Sequence, residues 1–343
     1  MTSPAGRRIR GFGRSDIGRV RERNEDAFAL GDLDHGTLWP GDDEIVSEGA
    51  RGIFAVVCDG MGGAAGGDVA SELAVETTWR ELKQGQATDD PEIAARILRR
   101  AVRLANQRVH GESRREPGLR GMGTTLSGCF VAGDCLVSAQ IGDSRVYVLR
   151  RGNLVQVTRD QTVGQALRVA GRITEEEANY LAGGGTILQA LGVAPDVEPS
   201  LSLCSLRRGD RVLLCSDGLT NQLGESTIAT ILGDRRGLDQ LTQALIDGAC
   251  AVGGYDNITA VVLDVEGDAL PPPVDDPADR PRFVEFDPRE EGPRALTSTS
   301  NVARRLAARA GLGPDPGPPI VPATGAFRRP KRRPAAVVAD AQP

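Results

Sequence analysis

Between residues 54 and 265 short apolar runs alternate with longer stretches of mixed polarity, and the two patterns predict different elements. Phe54 to Cys58, Val212 to Ser216 and Ile258 to Val265 are apolar runs of strand length bounded by Gly, Asp or Asn. Asp68 to Lys83 and Pro91 to roughly Arg114 carry apolar residues at three- and four-residue spacing, which predicts two helices, and a third is expected over Leu238 to Val252. Thr124 to Phe130, Cys135 to Ile141, Ser144 to Leu149 and Leu154 to Thr158 follow one another closely, separated by Ala-Gly-Asp, Gly-Asp-Ser and Arg-Gly-Asn. Tight turns of that kind imply a meander of antiparallel strands. Asp160 to Leu181 is polar and helix-prone and runs into Gly183-Gly-Gly. The elements do not repeat as βαβ units, so the fold class is α+β, sheet flanked by helices, in one domain over residues 8–266.

The pattern stops near residue 267. Of 21 prolines, 15 fall after residue 270, and large apolar residues become scarce. Residues 267–343 are therefore expected to be a disordered Pro/Arg-rich tail, with a short helix at Asn301 to Ala310. Residues 271–343 carry 12 basic and 9 acidic side chains, which leaves the acidic excess on the folded part of a chain whose net charge is -6. The tail's basic cluster, Arg328-Arg-Pro-Lys-Arg-Arg333, suits either solvent or an acidic partner.

With only seven Phe, three Tyr and two Trp and a negative charge overall, the chain lacks the stacking platforms and basic surface of a nucleic-acid protein. No stretch approaches the roughly 20 apolar residues that span a bilayer, nothing resembles a signal peptide, and the six cysteines show no Cys-x-x-Cys spacing. Buried thiols and a cytoplasmic location are expected. The 39 Arg against two Lys fit the coding bias of a GC-rich bacterial genome.

Three of the apolar runs end or begin at an Asp: Asp59, Asp217 and Asp256. Asp beside Gly or Asn is a common turn signal, but several strands ending in Asp can bring their carboxylates to one point. Without a cation such a cluster repels itself, and a divalent ion reverses the sign. Oxygen-only ligands favour Mg²⁺ or Mn²⁺ over Zn²⁺. Arg21, in a dense run of both signs, is either part of an exposed hairpin or a guanidinium that grips two phosphoryl oxygens.

Six segments then occur in order: Arg21-x-x-Asn-Glu25-Asp26, Asp59-Gly60-Met-Gly-Gly63, Gly121-Met-Gly-Thr-Thr125, Ile141-Gly-Asp143-Ser-Arg145, Ser216-Asp217-Gly-Leu219 and Asp256-Asn257-Ile-Thr259. The series, spanning residues 12–265, resembles the metal-dependent type 2C (PPM) protein serine/threonine phosphatases, especially bacterial ones. The resemblance implies a four-layer α-β-β-α sandwich of two antiparallel sheets with a binuclear Mn²⁺ or Mg²⁺ site at one end. It implies that Asp59 bridges the two ions, that the Gly60 carbonyl ligates one and that Asp217 and Asp256 hold the other. Glu25 and Asp26 would act through metal-bound waters, Arg21 would hold the substrate phosphate, and Asp143 with Asp217 resembles a third-metal position. Met61 stands where many relatives have His, so leaving-group protonation would fall to a metal-bound water, and Tyr180 to Gly185 replaces a His-Pro-containing flap segment, with Gly185 where some relatives have a Ser near the third metal, a departure from the family pattern at the third site and the flap.

Gly60-x-Gly62-x-x-Ala65 formally meets a dinucleotide fingerprint, but Asp59 would face the pyrophosphate with like charge and no βαβ repeat follows. A catalytically silent, phosphoprotein-binding relative is the other alternative, and retention of all three Asp residues speaks against it. The expected activity is metal-dependent hydrolysis of phosphoserine and phosphothreonine on proteins, opposing bacterial serine/threonine kinases. Cys58 and Cys215 lack the basic surroundings of a phosphatase nucleophile and read as core thiols.

Overall fold

The structure, a computed structural model, describes residues 6–39, 44–62, 66–174, 177, 186–274, 276, 279–288 and 294–295, the last pair as backbone only. Two antiparallel sheets lie face to face. One has six strands in the order β10 (Asn153–Gln156), β9 (Arg145–Arg150), β12 (Arg211–Cys215), β13 (Ile258–Glu266), β1 (Arg8–Asp16) and β4 (Ile45–Ser47). The other runs β15 (Arg294–Ala295), β14 (Phe283–Phe286), β11 (Ser200–Ser205), β8 (Cys135–Ile141), β7 (Leu126–Ala132), β5 (Ile53–Met61), β2 (Asp26–Asp32) and β3 (Thr37–Trp39), with β6 (Gly123–Thr124) beside the end of β5.

The apolar runs are unbroken because central strands are buried on both faces. On β5, Phe54, Val56 and Cys58 pack against helices α1 (Gly67–Gln84) and α2 (Pro91–Arg115), together with Trp79 and Leu98. Ile53, Ala55 and Val57, of opposite parity, face the other sheet and meet Val146, Val212, Leu214, Val261 and Leu263. Leu213, Cys215, Ala260 and Val262 turn outward again, onto Leu219, Leu241 and Leu245 of the helices Asp217–Thr220 and Leu238–Val252. Period-two alternation thus gives three apolar layers between four structural ones, the α-β-β-α sandwich. Helix α2 starts where Asp90 accepts hydrogen bonds from the amides of Glu92 (2.8 Å) and Ile93 (3.2 Å) and Pro91 occupies the first turn.

Three expectations change. The strand expected over Thr124 to Phe130 divides in two, because the Thr125 amide turns aside to the Asp59 carbonyl (2.9 Å) while Gly123 and Thr124 pair with Met61 and Gly60. Within Asp160 to Leu181 the helix covers Val163–Val169, and Tyr180 to Gly185 lies outside the described residues. Ordered packing continues past residue 266. β14 joins the edge of the second sheet by pairing with β11, burying Phe286, and Leu270 is buried as well. Asp279 meets Arg150 at 3.1 Å and Arg207 at 3.6 Å, and Glu285 meets Arg159 at 2.6 Å. A few apolar residues in a Pro-rich stretch suffice when an open sheet edge is there to receive them. The expected helix at Asn301 to Ala310, the basic cluster and most of the expected disordered tail lie outside the described residues.

Candidate metal and phosphate site

One end of the sandwich collects the carboxylates. Asp59 sits near the end of β5 and Asp26 at the start of β2, directly opposite it in the strand register. Asp143 lies in the turn between β8 and β9, Asp217 follows β12 and begins a helix, and Asp256 precedes β13. Asp59, Asp143, Asp217 and Asp256 line a cavity of about 260 Å³, open to solvent, together with Arg21, Glu25 and Gly60. Of the residues singled out in the sequence, Asp26 alone is not on that wall. It lies behind it, where its Oδ2 accepts hydrogen bonds from Ser216 Oγ (2.7 Å) and Thr259 Oγ1 (2.6 Å).

Backbone contacts fix these positions. The Thr125 hydroxyl accepts from the Asp59 amide at 2.9 Å, and the Gly60 amide donates to the Glu25 carbonyl at 3.1 Å. A Cβ on Gly60 would overlap the carbonyls of Glu25 and Gly67, so only glycine lets the two chain segments meet there. Asn257 ties the Arg21 loop to β13: its Oδ1 accepts from the Glu25 amide (2.9 Å), and its Nδ2 donates to the carbonyls of Ile17 (3.0 Å) and Arg23 (2.8 Å). Gly18, at φ +81°, lies so close to the Asp256 and Gly254 carbonyls that no side chain fits.

Electrostatically the site is under stress. Burial, then neighbouring carboxylates, push Asp26 and Asp143 up to about 7 and Asp59 well above the usual carboxylate range. Glu25 and Asp217 are also raised, chiefly by burial. Arg21 does not stand free: its Nη2 donates to Asp256 Oδ2 at 2.7 Å, so the guanidinium expected to hold phosphate is paired with a carboxylate expected to hold metal.

The donor set suits a hard divalent cation. Every candidate ligand is oxygen, and Asp26 Oδ1 and Asp217 Oδ1 are buried with no hydrogen-bond partner. Among the described residues no three His, Cys, Asp or Glu side chains close on one point as a finished cage; the carboxylates ring the cavity. No thiol lines it. Cys58 is fully buried and its thiol is raised, and burial pushes Cys215 up to about 12. Ser216, Thr259, Thr125 and Asn257 stand inside the six sequence segments, and the sequence alone shows no role for them. Their hydroxyls and amide act on main chain and on Asp26, which spacing does not show.

The chain also has clear relatives. Residues 22–245 match the family model described as protein phosphatase 2C. Over 260 residues the chain is 39% identical to the serine/threonine protein phosphatase PstP of Mycobacterium tuberculosis, an alignment covering 75% of this chain and 45% of that one. The matched part is thus less than half of the PstP chain. The serine/threonine phosphatase stp of Listeria monocytogenes is 34% identical over 251 residues, 73% of this chain and 94% of its own. The crystal structure of the catalytic domain of PstP in complex with two manganese ions superimposes with a TM-score of 0.62 at 37% identity, covering 76% of this chain and 99% of that one.

Proposed function

The chain belongs to the protein phosphatase 2C family, and on that premise we propose that it is a metal-dependent protein serine/threonine phosphatase. The observation that carries the proposal is the gathering of strand-end carboxylates with orphaned oxygens around an open cavity beside Arg21. Asp59 would hold two cations, the Gly60 carbonyl one of them, and Asp217 and Asp256 the other, with Glu25 and Asp26 acting through intervening water. Asp143, sharing the cavity with Asp217, is the candidate for a third. Mn²⁺ or Mg²⁺ bound there would supply Lewis acidity and lower the pKa of water at the site. Manganese in the PstP catalytic domain supports the choice of ion.

The protein's own groups do the rest. Arg21, released from Asp256, would take two phosphoryl oxygens side by side and hold phosphorus in line with water at the cavity floor. Ser216 and Thr259 occupy Asp26 Oδ2 and leave Oδ1 without a hydrogen-bond partner, the oxygen that would face the water. Met61 on the wall offers no proton, which leaves leaving-group protonation to solvent.

The substrates on this reading are phosphoproteins, the products of serine/threonine kinases, in the cytoplasm. Unpaired buried thiols support a reducing compartment, and no helix among the described residues is long and apolar enough to cross a membrane. The domain would extend through Phe286, and the basic cluster Arg328 to Arg333 would engage an acidic partner. A phosphothreonine peptide should be hydrolysed with Mn²⁺ and left intact after chelation. Turnover that survives exhaustive chelation, or none with the ion present, would sink the proposal.

A further inference from the structure

Exposed apolar side chains lie on the segments that supply part of the cavity wall. Of the eight large hydrophobics that are exposed among the described residues, Ile17, Val20, Val252 and Tyr255 belong to the two segments that meet beside Arg21 and Asp256. A fifth, Val193, borders the far rim, because a Cβ on Gly123 would touch both its Cγ2 (3.0 Å) and Met61 of the cavity wall. Val20, Val193 and Tyr255 are 60%, 62% and 63% exposed. Single exposed hydrophobics are ordinary, but a cluster around one opening marks a contact surface.

The surface is also held still. Asn257 grips the carbonyls of Ile17 and Arg23 at the two ends of the loop, the Arg19 amide donates to the Gly254 carbonyl at 2.7 Å, and the Gly18 amide donates to Asp16 Oδ1 at 2.8 Å. A loop tied in this way presents Val20, and the segment it is tied to presents Tyr255, with little backbone left to order when something binds. Its charges largely cancel: Arg19 meets Asp16 at 3.6 Å and Arg21 meets Asp256 at 2.7 Å, which leaves Arg23 beside Glu22, whereas the adjoining cavity is acidic.

We propose that this rim is a docking surface for the polypeptide that carries the phosphoresidue, and that it selects substrates with apolar side chains flanking that residue. The inference rests on the phosphatase reading above and names the substrate class. Continuity with the cavity argues for the substrate as occupant: Val20 and Tyr255 directly precede Arg21 and Asp256 of the cavity wall, so a chain that places its phosphate at Arg21 passes close to both.

Two phosphothreonine peptides, identical except for Leu or Ser on both sides of the phosphoresidue, separate the cases in the presence of Mn²⁺. The Leu peptide should have kcat/KM about five- to twentyfold higher, the range expected for apolar contact at an open rim. The ratio should fall toward one in Val20→Ser and Tyr255→Ser and be kept in Tyr255→Phe, with the melting temperature confirming folding. Equal rates on the two peptides in the unaltered protein would overturn the docking surface while leaving the phosphatase reading intact. Hydrolysis of neither would overturn both. A ratio that survives in both serine variants would place selection elsewhere, and a change in sedimentation without a change in ratio would make the rim a contact between copies of this chain.

Discussion

Asp26 and Asp59 stand opposite each other on paired strands, a placement that like charges oppose and that persists only because the rest of the sandwich holds it. Replacing one of them should therefore have two effects of opposite sign. Asp59→Asn is expected to abolish Mn²⁺-dependent turnover, because a neutral amide is a poor bridging ligand. In the metal-free protein at mildly alkaline pH it should raise stability, by roughly 1 kcal/mol, because a carboxyl whose ionisation is opposed by burial and by the facing Asp26 is replaced by a neutral group. Urea denaturation with chelator present checks the second effect. A loss of stability would mean that Asp59 is held by contacts other than those seen, chiefly the Thr125 hydroxyl on its amide.

At the scale of elements, the strand beyond residue 266 carries the sharpest expectation. Phe286 is buried at the sheet edge with the Arg96 guanidinium 5.2 Å from its ring centroid, and Arg150, itself buried, is neutralised by both Asp210 (2.7 Å) and Asp279. Phe286→Ala should cost about 3 kcal/mol, read as a lower urea midpoint. Truncation after residue 266 should lower the midpoint by at least as much, while truncation after residue 295 should leave it unchanged. This edge was hidden in the sequence because composition averages over windows. Phe283, Val284 and Phe286 are outnumbered by Pro and Asp, although the docking site on β11 needs only four residues. β1 was obscured differently. Gly11 and Gly13 break its apolar pattern, yet both are pressed by partner side chains, Leu263 and Phe28, that supply the missing bulk. β5, β12 and β13 were legible because burial on both faces makes their sequence uniformly apolar, and the Asp at each strand end was visible for the same reason. What no pattern showed was the contact of Arg21 with Asp256, 235 positions apart.

Over the whole molecule, chemistry and packing divide the polar and sulfur atoms cleanly. Five of the six thiols are buried in the layers, and Cys250 is half-buried. Under native conditions alkylation should modify Cys250 alone and leave hydrolysis intact, as mass spectrometry and a peptide assay would show. Loss of turnover in the folded, alkylated protein would reopen a thiol mechanism. The ion pair between Arg21 and Asp256 reaches further, because on the proposed assignment it would make cation and phosphate heterotropic ligands. A cation drawn to Asp256, or a phosphate drawn to Arg21, would compete with the pair, and the second would then meet a site already opened. The two are therefore expected to bind with positive cooperativity, and by reciprocity each would tighten the other by the same factor. Both side chains are part-exposed, so the pair is worth about 1 kcal/mol at most and its share of the coupling is no more than about fivefold. Titrating Mn²⁺ calorimetrically with and without inorganic phosphate measures the coupling, and Arg21→Ala should remove the share that belongs to the pair. In that variant Mn²⁺ alone should bind slightly more tightly than in the unaltered protein, since Asp256 no longer has a competing cation of its own.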